Sequence, residues 1–483
     1  MQRPRNDCGP SVDALADFFT RKARAGAVSD QSELRVNLGR AGAYERIALC
    51  AREWPRFDFK VDAAQDSAIE PRDRALGRTI ELQVVRRWLT LQAVIAPLLD
   101  RPWHTIQPAM QAALMGGTAQ LLLMDRVPDH AVLDETVEWA KTAVRVGAGG
   151  MVNAILRKIA ALRVEKLSAQ AFAKFQTPER YHLPLEDGGA WSLSEDVFAS
   201  SAPERLSQQS SHPLEVVLRW TNRMSVKDAR RICFHGLTDP PLVLYGLPAD
   251  EPETTQHGAP GARIWNGSHV ALLAALEKYP LARVQDVGSA LAVSLLEVSA
   301  PKIIIDACAG RGTKTLQLAA KYPGAQIIAS EPDADRRTSL ADAARRASLA
   351  GLNNIQVVTP QDIGKWFGKA DVLVLDVPCS NSGVFARRPE AKYRFDLKMM
   401  DRLVVLQRKI VDDHRPLLAE HGTLLYATCS LEHEENERMA TWISQRIKAP
   451  MRRSERNIPQ GLPGETATMW QDGAFAAIFS IHP

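Results

Sequence analysis

One stretch of the chain, residues 371–394, combines an acid, a thiol and several cations, and reads DVLVLDVPCSNSGVFARRPEAKYR. Apolar residues lead into Asp376 and Cys379, and a loop of small residues follows. The stretch closes with four cations, Arg387, Arg388, Lys392 and Arg394. A buried strand that ends in an acid and a thiol, followed by cationic side chains, predicts a nucleophile or base held over a negatively charged polymer.

A second thiol, Cys429, follows another apolar segment, residues 422–428, which read GTLLYAT. Cys379 and Cys429 thus stand at the ends of two predicted strands that could be neighbours in one sheet. Buried cysteines are usually inert apolar residues. Two thiols in strand-end loops, one of them beside an acid, favour a catalytic pair instead.

A glycine-bearing turn, residues 306–315 (DACAGRGTKT), follows an earlier strand. It is neither a GxGxxG fingerprint nor a Walker A loop, but its glycines let backbone amides approach the anionic group of a nucleotide-like cofactor. Glu331 follows about 20 residues later, at the spacing of a carboxylate that holds ribose hydroxyls. Asp362, after the next strand, could accept from an adenine amine. The alternatives are a solvated acid at a helix start for Glu331 and an ordinary loop acid for Asp362.

Alternating strands and helices position these residues from about residue 284 onward. Strands are predicted at residues 302–306, 325–330, 355–359, 370–376, 422–428 and 475–481, and helices at 313–321, 335–350, 397–418 and 432–447. The strands are aliphatic without polar alternation, which indicates a doubly wound α/β sheet covered on both faces. Ligands of such sheets bind beyond the carboxyl ends of the strands.

The preceding part of the chain is mostly helical. Residues 41–162 show helical apolar spacing with breaks that predict a bundle of about five helices, in which Asp129 caps the helix after Pro128. A further helix is expected at residues 12–25. The middle region is predicted to contain helices at 214–222 and 225–234, a strand at 242–247 and a loop at 249–261.

Composition limits the class of protein. The 483 residues allow about two to four domains, and the 45% hydrophobic content is enough to bury cores. A net charge of +4 neither requires nor excludes a nucleic acid partner. The six cysteines form no CxxC pair, so we expect no metal and a reducing compartment. Because no signal-peptide or membrane-spanning apolar run occurs, we expect a cytoplasmic protein without a membrane partner.

The cysteine motifs resemble those of a known enzyme family. DVPCSNSGVFARRPEAKYR and LLYATCSLEHEENE are similar to the paired PC and TCS motifs of the NOP2/Sun family of RNA cytosine-5 methyltransferases, and WQDGAFAAIF resembles that family's closing strand. RDRALGRTIELQVVRRWLTL, RVPDHAVLDETVEWAK and GGMVNAILRKI resemble the NusB-like domain of bacterial 16S rRNA methyltransferases of the RsmB type. The resemblance covers about residues 40–483 and is weakest between 165 and 275.

The resemblance implies four parts of the chain. They are an N-terminal extension (1–38), an all-α NusB-like RNA-binding domain (39–165), a linker with a small mixed RNA-recognition module (166–280) and a Rossmann-like methyltransferase domain (281–483). It also implies S-adenosylmethionine as the cofactor. The implied partner is small-subunit rRNA, met by a monomer at a single-stranded or flipped-out cytosine.

The resemblance further implies roles for the catalytic residues. Cys429 would attack carbon 6 of the cytosine, and Cys379 would help to remove the carbon-5 proton and release the product. Asp376 would hydrogen-bond the base edge, supported by Lys314. The four cations Arg387, Arg388, Lys392 and Arg394 would hold RNA phosphates.

The cofactor set implied by the resemblance is Cys308, Ala309, Gly310, Arg311, Gly312, Thr313, Lys314, Glu331, Asp362 and Asp376. The glycine-bearing turn departs from the family pattern, because Gly310, Arg311 and Thr313 replace its alanine, proline and second glycine. Thr313 could cap the helix that follows, and Arg311 could meet the cofactor carboxylate.

Two other functions fit part of the pattern. One is an RNA-binding ribosome-assembly protein with a weak or vestigial methyltransferase domain, which only the altered turn supports. The other is a DNA cytosine methyltransferase, which would share the chemistry but would use the PC cysteine as its nucleophile. The presence of Cys429 in a TCS motif argues against the second.

Overall fold

The computed structural model describes residues 36–59 and 69–480, which fall into two units. The first contains the described residues up to Lys166, with Glu179–Leu183 and Trp191–Phe198. The second contains Leu167–Pro178, Pro184–Ala190 and the chain from Ala199 onward. The helix predicted at residues 12–25 lies outside the described residues.

Helices make up most of the first unit. Within the described residues they are α1 (Leu38–Glu53), α2 (Pro71–Ile95), α3 (Pro108–Leu123), α4 (Asp129–Ala143) and α5 (Ala148–Ala161). The prediction of about five helices is therefore confirmed. Their core includes the fully buried Tyr44, whose hydroxyl lies 2.7 Å from the Thr136 hydroxyl and whose ring meets Trp139 edge to face.

The predicted cap of α4 is wrong. Pro128 occupies the N-cap position and no side chain caps this helix. Asp129 is the first helical residue, and its carboxylate forms an ion pair with Arg163 instead.

Short elements make up the middle of the chain. The strands β1 (Arg163–Leu167), β2 (His182–Pro184) and β3 (Ala190–Leu193) form a sheet of order β1-β3-β2. The helices are α6 (Ala169–Phe172), α7 (Ala202–Ser210), α8 (Leu214–Arg223), α9 (Val226–His235) and α10 (His269–Lys278).

A second small sheet has four strands in the order β5-β6-β4-β7. They are β4 (Val243–Tyr245), β5 (Thr254–Gln256), β6 (Arg263–Trp265) and β7 (Arg283–Val284). The loop predicted at 249–261 thus contains the strand β5. Its residues, TTQ, show no apolar pattern, and the strand forms because it pairs with β6.

A seven-stranded sheet organises the rest of the second unit. Its strands are β8 (Ile303–Asp306), β9 (Gln326–Ser330), β10 (Ile355–Val358), β11 (Ala370–Asp376), β12 (Leu418–Thr428), β13 (Met451–Asn457) and β14 (Ala474–Ser480), in the order β10-β9-β8-β11-β12-β14-β13. The first five strands in this order are parallel, and β14 and β13 are antiparallel to their neighbours. The helices of this part are α11 (Val287–Ser294), α12 (Thr313–Lys321), α13 (Ala334–Leu349), α14 (Pro389–Arg394), α15 (Leu397–His414) and α16 (Glu437–Ile447).

Both faces of this sheet are covered, as the sequence predicts. Leu373 and Leu375 of β11 pack in one apolar layer with residues of α15 and α16 such as Val411 and Ile443. The alternate residues of β11 pack in the opposite layer with residues of α11 and α12. The strand order reverses between β8 and β11, which is the switch point where doubly wound sheets bind ligands.

Candidate active site

A cavity of about 960 Å³ lies at the carboxyl ends of β8, β9, β11 and β12. Ten of the residues singled out from the sequence line it: Cys308, Gly310, Thr313, Lys314, Glu331, Asp376, Cys379, Arg387, Arg388 and Cys429. The strand register explains this convergence, because β11 and β12 run in parallel with Asp376 opposite Ala427. Both cysteine loops therefore leave the sheet at the same level.

The two thiols are in contact, with 3.2 Å between the Sγ atoms of Cys379 and Cys429. Cys379 is buried, whereas Cys429 is partly exposed to the cavity. The hydrogen bond with Cys429, and then burial, raise the pKa of the Cys379 thiol well above its ordinary value. Cys379 therefore holds its own proton firmly, and Cys429 is the more accessible of the two sulfurs.

Asn381 was not predicted as a site residue, yet it joins the two cysteine loops. Its Oδ1 accepts from the Cys429 thiol at 3.2 Å, and its Nδ2 donates to the carbonyl of Cys379 at 3.1 Å. Its φ is +60°, a left-handed conformation that asparagine adopts more readily than most residues. The sequence offers one signal for this contact: an asparagine stands in a loop of otherwise small residues.

Asp376 and Lys314 form an ion pair in the cavity wall, with 2.7 Å between Nζ and Oδ2. The ammonium of Lys314 also donates to the Ser289 hydroxyl at 3.2 Å. Burial lowers the pKa of Lys314, but the Asp376 carboxylate more than offsets this, so the pKa lies above its ordinary value. Lys314 is thus a cation that fixes the Asp376 carboxylate rather than a base.

A further acid, Asp306, lies fully buried at the end of β8. It accepts from the Thr315 hydroxyl at 2.7 Å, and its Oδ1 has no hydrogen-bond partner among the described residues. Burial raises the pKa of Asp306 to about 6. Asp306 is the first residue of the glycine-bearing turn, so this end of the turn is anchored in the interior of the protein.

The glycine-bearing turn leaves room for a ligand. Gly310 has a φ of +57°, and a Cβ atom built on it would meet nothing within 4 Å. The backbone N–H of Gly310 donates to Glu331 Oε2 at 2.9 Å, and that of Asp333 donates to Oε1 at 3.0 Å. The buried Glu331 carboxylate therefore holds the turn open while itself lining the cavity. An open turn beside an oriented carboxylate fits the ribose and adjoining groups of S-adenosylmethionine.

Four members of the predicted cofactor set are not part of the cavity lining: Ala309, Arg311, Gly312 and Asp362. Arg311 is exposed and donates to the Ser339 hydroxyl of α13 at 3.0 Å. Asp362 binds Lys365 and Thr359, both at 2.7 Å. The structure does not bring either side chain to the cavity.

The predicted cap of α12 is also wrong. Gly312, with a φ of +90°, occupies the N-cap position, and Thr313 is the first helical residue. Only glycine adopts this conformation readily, and a Cβ atom here would lie 2.8 Å from Leu340 Cδ1.

The expectation of four RNA-facing cations is wrong for Lys392, which is fully buried. Arg387 lines the cavity, but its guanidinium pairs with Asp286 and Asp472 and donates to the carbonyl of Pro241. Arg394 is partly buried and pairs with Glu390 at 3.2 Å, which leaves Arg388 as the exposed member of the four.

Metal-binding clusters and membrane-spanning helices are both absent from the described ranges 36–59 and 69–480. No group of three or more His, Cys, Asp or Glu side chains there is arranged to hold a metal ion. No helix in these ranges is long and apolar enough to span a membrane.

A doubly wound sheet with an open glycine turn after its first strand and an acid after the next is typical of Rossmann-like domains that bind a nucleotide-like cofactor. Residues 293–467 match the family described as 16S rRNA methyltransferase RsmB/F, and residues 53–161 match the NusB family. The chain therefore resembles the RsmB/F methyltransferases over the first of these ranges and the NusB family over the second. This confirms the resemblance and the S-adenosylmethionine cofactor predicted from the sequence.

Individual proteins give the same picture. The chain is 29% identical over 436 residues to ribosomal RNA small subunit methyltransferase B of Vibrio cholerae, covering 86% of this chain and 92% of that one. It is 23% identical over 388 residues to the probable ribosomal RNA small subunit methyltransferase B of Bacillus subtilis, covering 77% and 80%. Among solved structures, the crystal structure of PH0851 has the same fold, with a TM-score of 0.63 at 18% identity over 94% of this chain and 99% of that one.

Proposed function

We propose that this protein transfers a methyl group from S-adenosylmethionine to carbon 5 of a cytosine in 16S rRNA, through a covalent bond between Cys429 and the base. The observation that carries the proposal is the pair of thiols in contact at adjacent strand ends, of which Cys429 is the more exposed to the cavity. The names of the relatives support small-subunit rRNA as the substrate.

Carbon 5 of cytosine is a weak nucleophile, and a thiolate can activate it. Cys429 adds to carbon 6, which forms a carbon–sulfur bond and moves the electron pair of the double bond towards carbon 5. S-adenosylmethionine, when bound, supplies the methyl group as an electrophile. The partly exposed position of Cys429 on the cavity wall makes its sulfur accessible to the base.

Cys379 has the properties needed for product release. Once the Cys429 sulfur is bonded to the base, it no longer shares a proton with Cys379, so the largest cause of the raised pKa of Cys379 is removed and Cys379 can release its proton to solvent in the cavity that it lines. The resulting thiolate then accepts the proton on carbon 5. The electron pair of that carbon–hydrogen bond restores the ring double bond, and the bond from carbon 6 to Cys429 breaks.

Asp376 and Lys314 orient the base before attack. The ion pair holds the Asp376 carboxylate at the cavity wall, where it can accept from the amino group of cytosine. A cytosine must leave its stack to reach two thiols recessed in a cavity, so the substrate is a single-stranded or flipped-out nucleotide.

Bisulfite sequencing of 16S rRNA from a strain that lacks this gene tests the proposal. We expect one cytosine to lose its protection in the mutant strain. The wild-type gene should restore protection, and a Cys429→Ala gene should not. If the protection of every cytosine is unchanged in the mutant strain, 16S rRNA cytosine is not the substrate.

A further inference from the structure

A buried carboxylate outside the cavity lining, Glu435, contacts both cysteine loops. It accepts four hydrogen bonds: from Ser380 N at 2.9 Å, Ser380 Oγ at 2.5 Å, Ser430 Oγ at 2.5 Å and Gln407 Nε2 at 2.9 Å. Each oxygen thus receives two donors, which fills the acceptor capacity of a carboxylate. Such a complete set is typical of a buried charge whose position is fixed.

The sequence positions of the donors give this carboxylate its significance. Ser380 directly follows Cys379, and Ser430 directly follows Cys429. Both serine hydroxyls donate to the same oxygen, Glu435 Oε2. One atom therefore fixes the residue after each thiol, so a shift of this atom changes the position of one loop relative to the other.

Neighbouring groups fix Glu435 in turn. Gln407 of α15, which donates to Glu435, also donates to the carbonyl of Pro378 at 3.0 Å. The Tyr426 hydroxyl of β12 donates to the Glu435 carbonyl at 2.8 Å. The carboxylate is therefore held from the helix α15 and from the strand that carries Cys429.

We propose that Glu435 is a positioning residue that sets the distance and relative orientation of the Cys379 and Cys429 thiols. The consequence for turnover rests on the proposed function, whereas the effect on the thiols does not. The negative charge of Glu435 also contributes to the raised pKa of Cys379, so its loss alters the thiol chemistry as well as the geometry.

Two substitutions disturb the contacts of Glu435 in different ways. Glu435→Gln keeps the length of the side chain but removes the charge and one acceptor oxygen. Glu435→Asp keeps the charge but is shorter by one methylene, so one oxygen can no longer reach both serine hydroxyls. Glu434→Gln is the matched control, because Glu434 pairs with Arg219 and Arg223 and contacts neither cysteine loop.

The experiment measures the rate of iodoacetamide alkylation of Cys379 and Cys429 by mass spectrometry in the full-length protein, together with kcat and KM for methyl transfer. In the wild type, Cys429 should react faster than the buried Cys379. In both Glu435 variants, Cys379 alkylation should rise by about fivefold or more. Their kcat should fall by about tenfold or more, with the KM for S-adenosylmethionine within about twofold of wild type. The Glu434→Gln protein should match the wild type in all four quantities.

The outcomes separate the two proposals. Wild-type alkylation rates in either Glu435 variant would overturn the positioning role, whatever happens to turnover. Absence of methyl transfer by the wild-type protein would instead refute the proposed function, and the alkylation rates would still decide the role of Glu435. If the Glu435 variants do not fold, Ser380→Ala removes one hydroxyl donor while it keeps the Ser380 backbone bond. It should raise Cys379 alkylation in the same way, and unchanged alkylation would again overturn the proposal.

Discussion

At the scale of single residues, the site is an arrangement of ionisable groups whose environments differ. Cys379 and Cys429 carry the same thiol group, but the hydrogen bond with Cys429 and burial raise the pKa of Cys379. Lys314 stays charged because of Asp376. Asp306, fully buried below them, has a pKa of about 6.

The raised pKa of Asp306 predicts how stability depends on pH. The folded state binds this proton more tightly than the unfolded state, so folding is weakened as the pH rises from about 4 to about 6. Asp306→Asn removes the charge and can keep the bond from Thr315. We expect the variant to equal the wild type in free energy of unfolding below pH 4 and to exceed it by about 1–3 kcal/mol above pH 6.

Urea unfolding of both proteins between pH 3.5 and pH 8 (a range of about two units on either side of pH 6) measures this difference. A difference that does not change with pH would show that Asp306 does not titrate in this range.

The sequence identified the thiols at this scale but not the residues that orient them. Cys379, Cys429, Asp376 and Lys314 stand in recognisable motifs, and all four line the cavity. Glu435 stands in the quoted LLYATCSLEHEENE motif but had no predicted role, and Asn381 had none either. Both contact residues far away in the chain, 48 and 55 positions, and no local pattern encodes such pairs. Lys392 was misplaced for the related reason that a charged side chain shows its burial only in three dimensions.

At the scale of elements, two loops must pack closely so that the thiols meet. Gly383 makes this possible: its N–H donates to the Cys429 carbonyl at 2.9 Å, and its own carbonyl accepts from Gly473 N at 2.8 Å. A Cβ atom on Gly383 would lie 2.7 Å from the Gly473 oxygen and 2.8 Å from the Cys429 oxygen. The absence of a side chain here therefore lets the two cysteine loops and the β14 loop meet.

Gly383→Ala should separate these loops. Because both clashes are with backbone oxygens, we expect a loss of roughly 1–3 kcal/mol in the free energy of unfolding. The kcat for methyl transfer should fall by about tenfold or more. Gly324→Ala is the control, since a Cβ atom there meets nothing within 4 Å, and it should change neither quantity. Wild-type kcat in the Gly383 variant would show that loop contact does not control the thiols.

The parallel strands were predictable because their aliphatic runs are continuous; the prediction for β11 matches its observed bounds. The edge strand β13 was missed. It reads MRRSERN, most of its side chains are exposed, and it gains its conformation by pairing with β14. Sheet edges with charged side chains have no apolar pattern to detect.

At the scale of the whole molecule, a net charge of +4 is small for a protein proposed to bind RNA. Several of its cations are paired with acids, as Arg387 is with Asp286 and Asp472. Affinity for RNA should therefore depend on a few exposed cations near the cavity, of which Arg388 is one.

Arg388→Ala should weaken RNA binding and reduce the slope of log affinity against log salt concentration by about 1. Lys398→Ala is the matched control, because it removes the same charge from an exposed residue that does not line the cavity. Fluorescence anisotropy with a 16S rRNA fragment at several salt concentrations measures both slopes. Equal slopes for the two variants would place the phosphate contacts elsewhere.

The central claim is that Cys429 attacks the base and that Cys379 is needed to release it. Denaturing gel electrophoresis of each cysteine variant after incubation with rRNA and S-adenosylmethionine tests this claim most directly. We expect Cys379→Ala to accumulate a covalent protein–RNA band, because the adduct forms but does not resolve. Cys429→Ala and the double variant should form none. A covalent band with Cys429→Ala, or normal turnover by both single variants, would contradict the assignment of the two thiols.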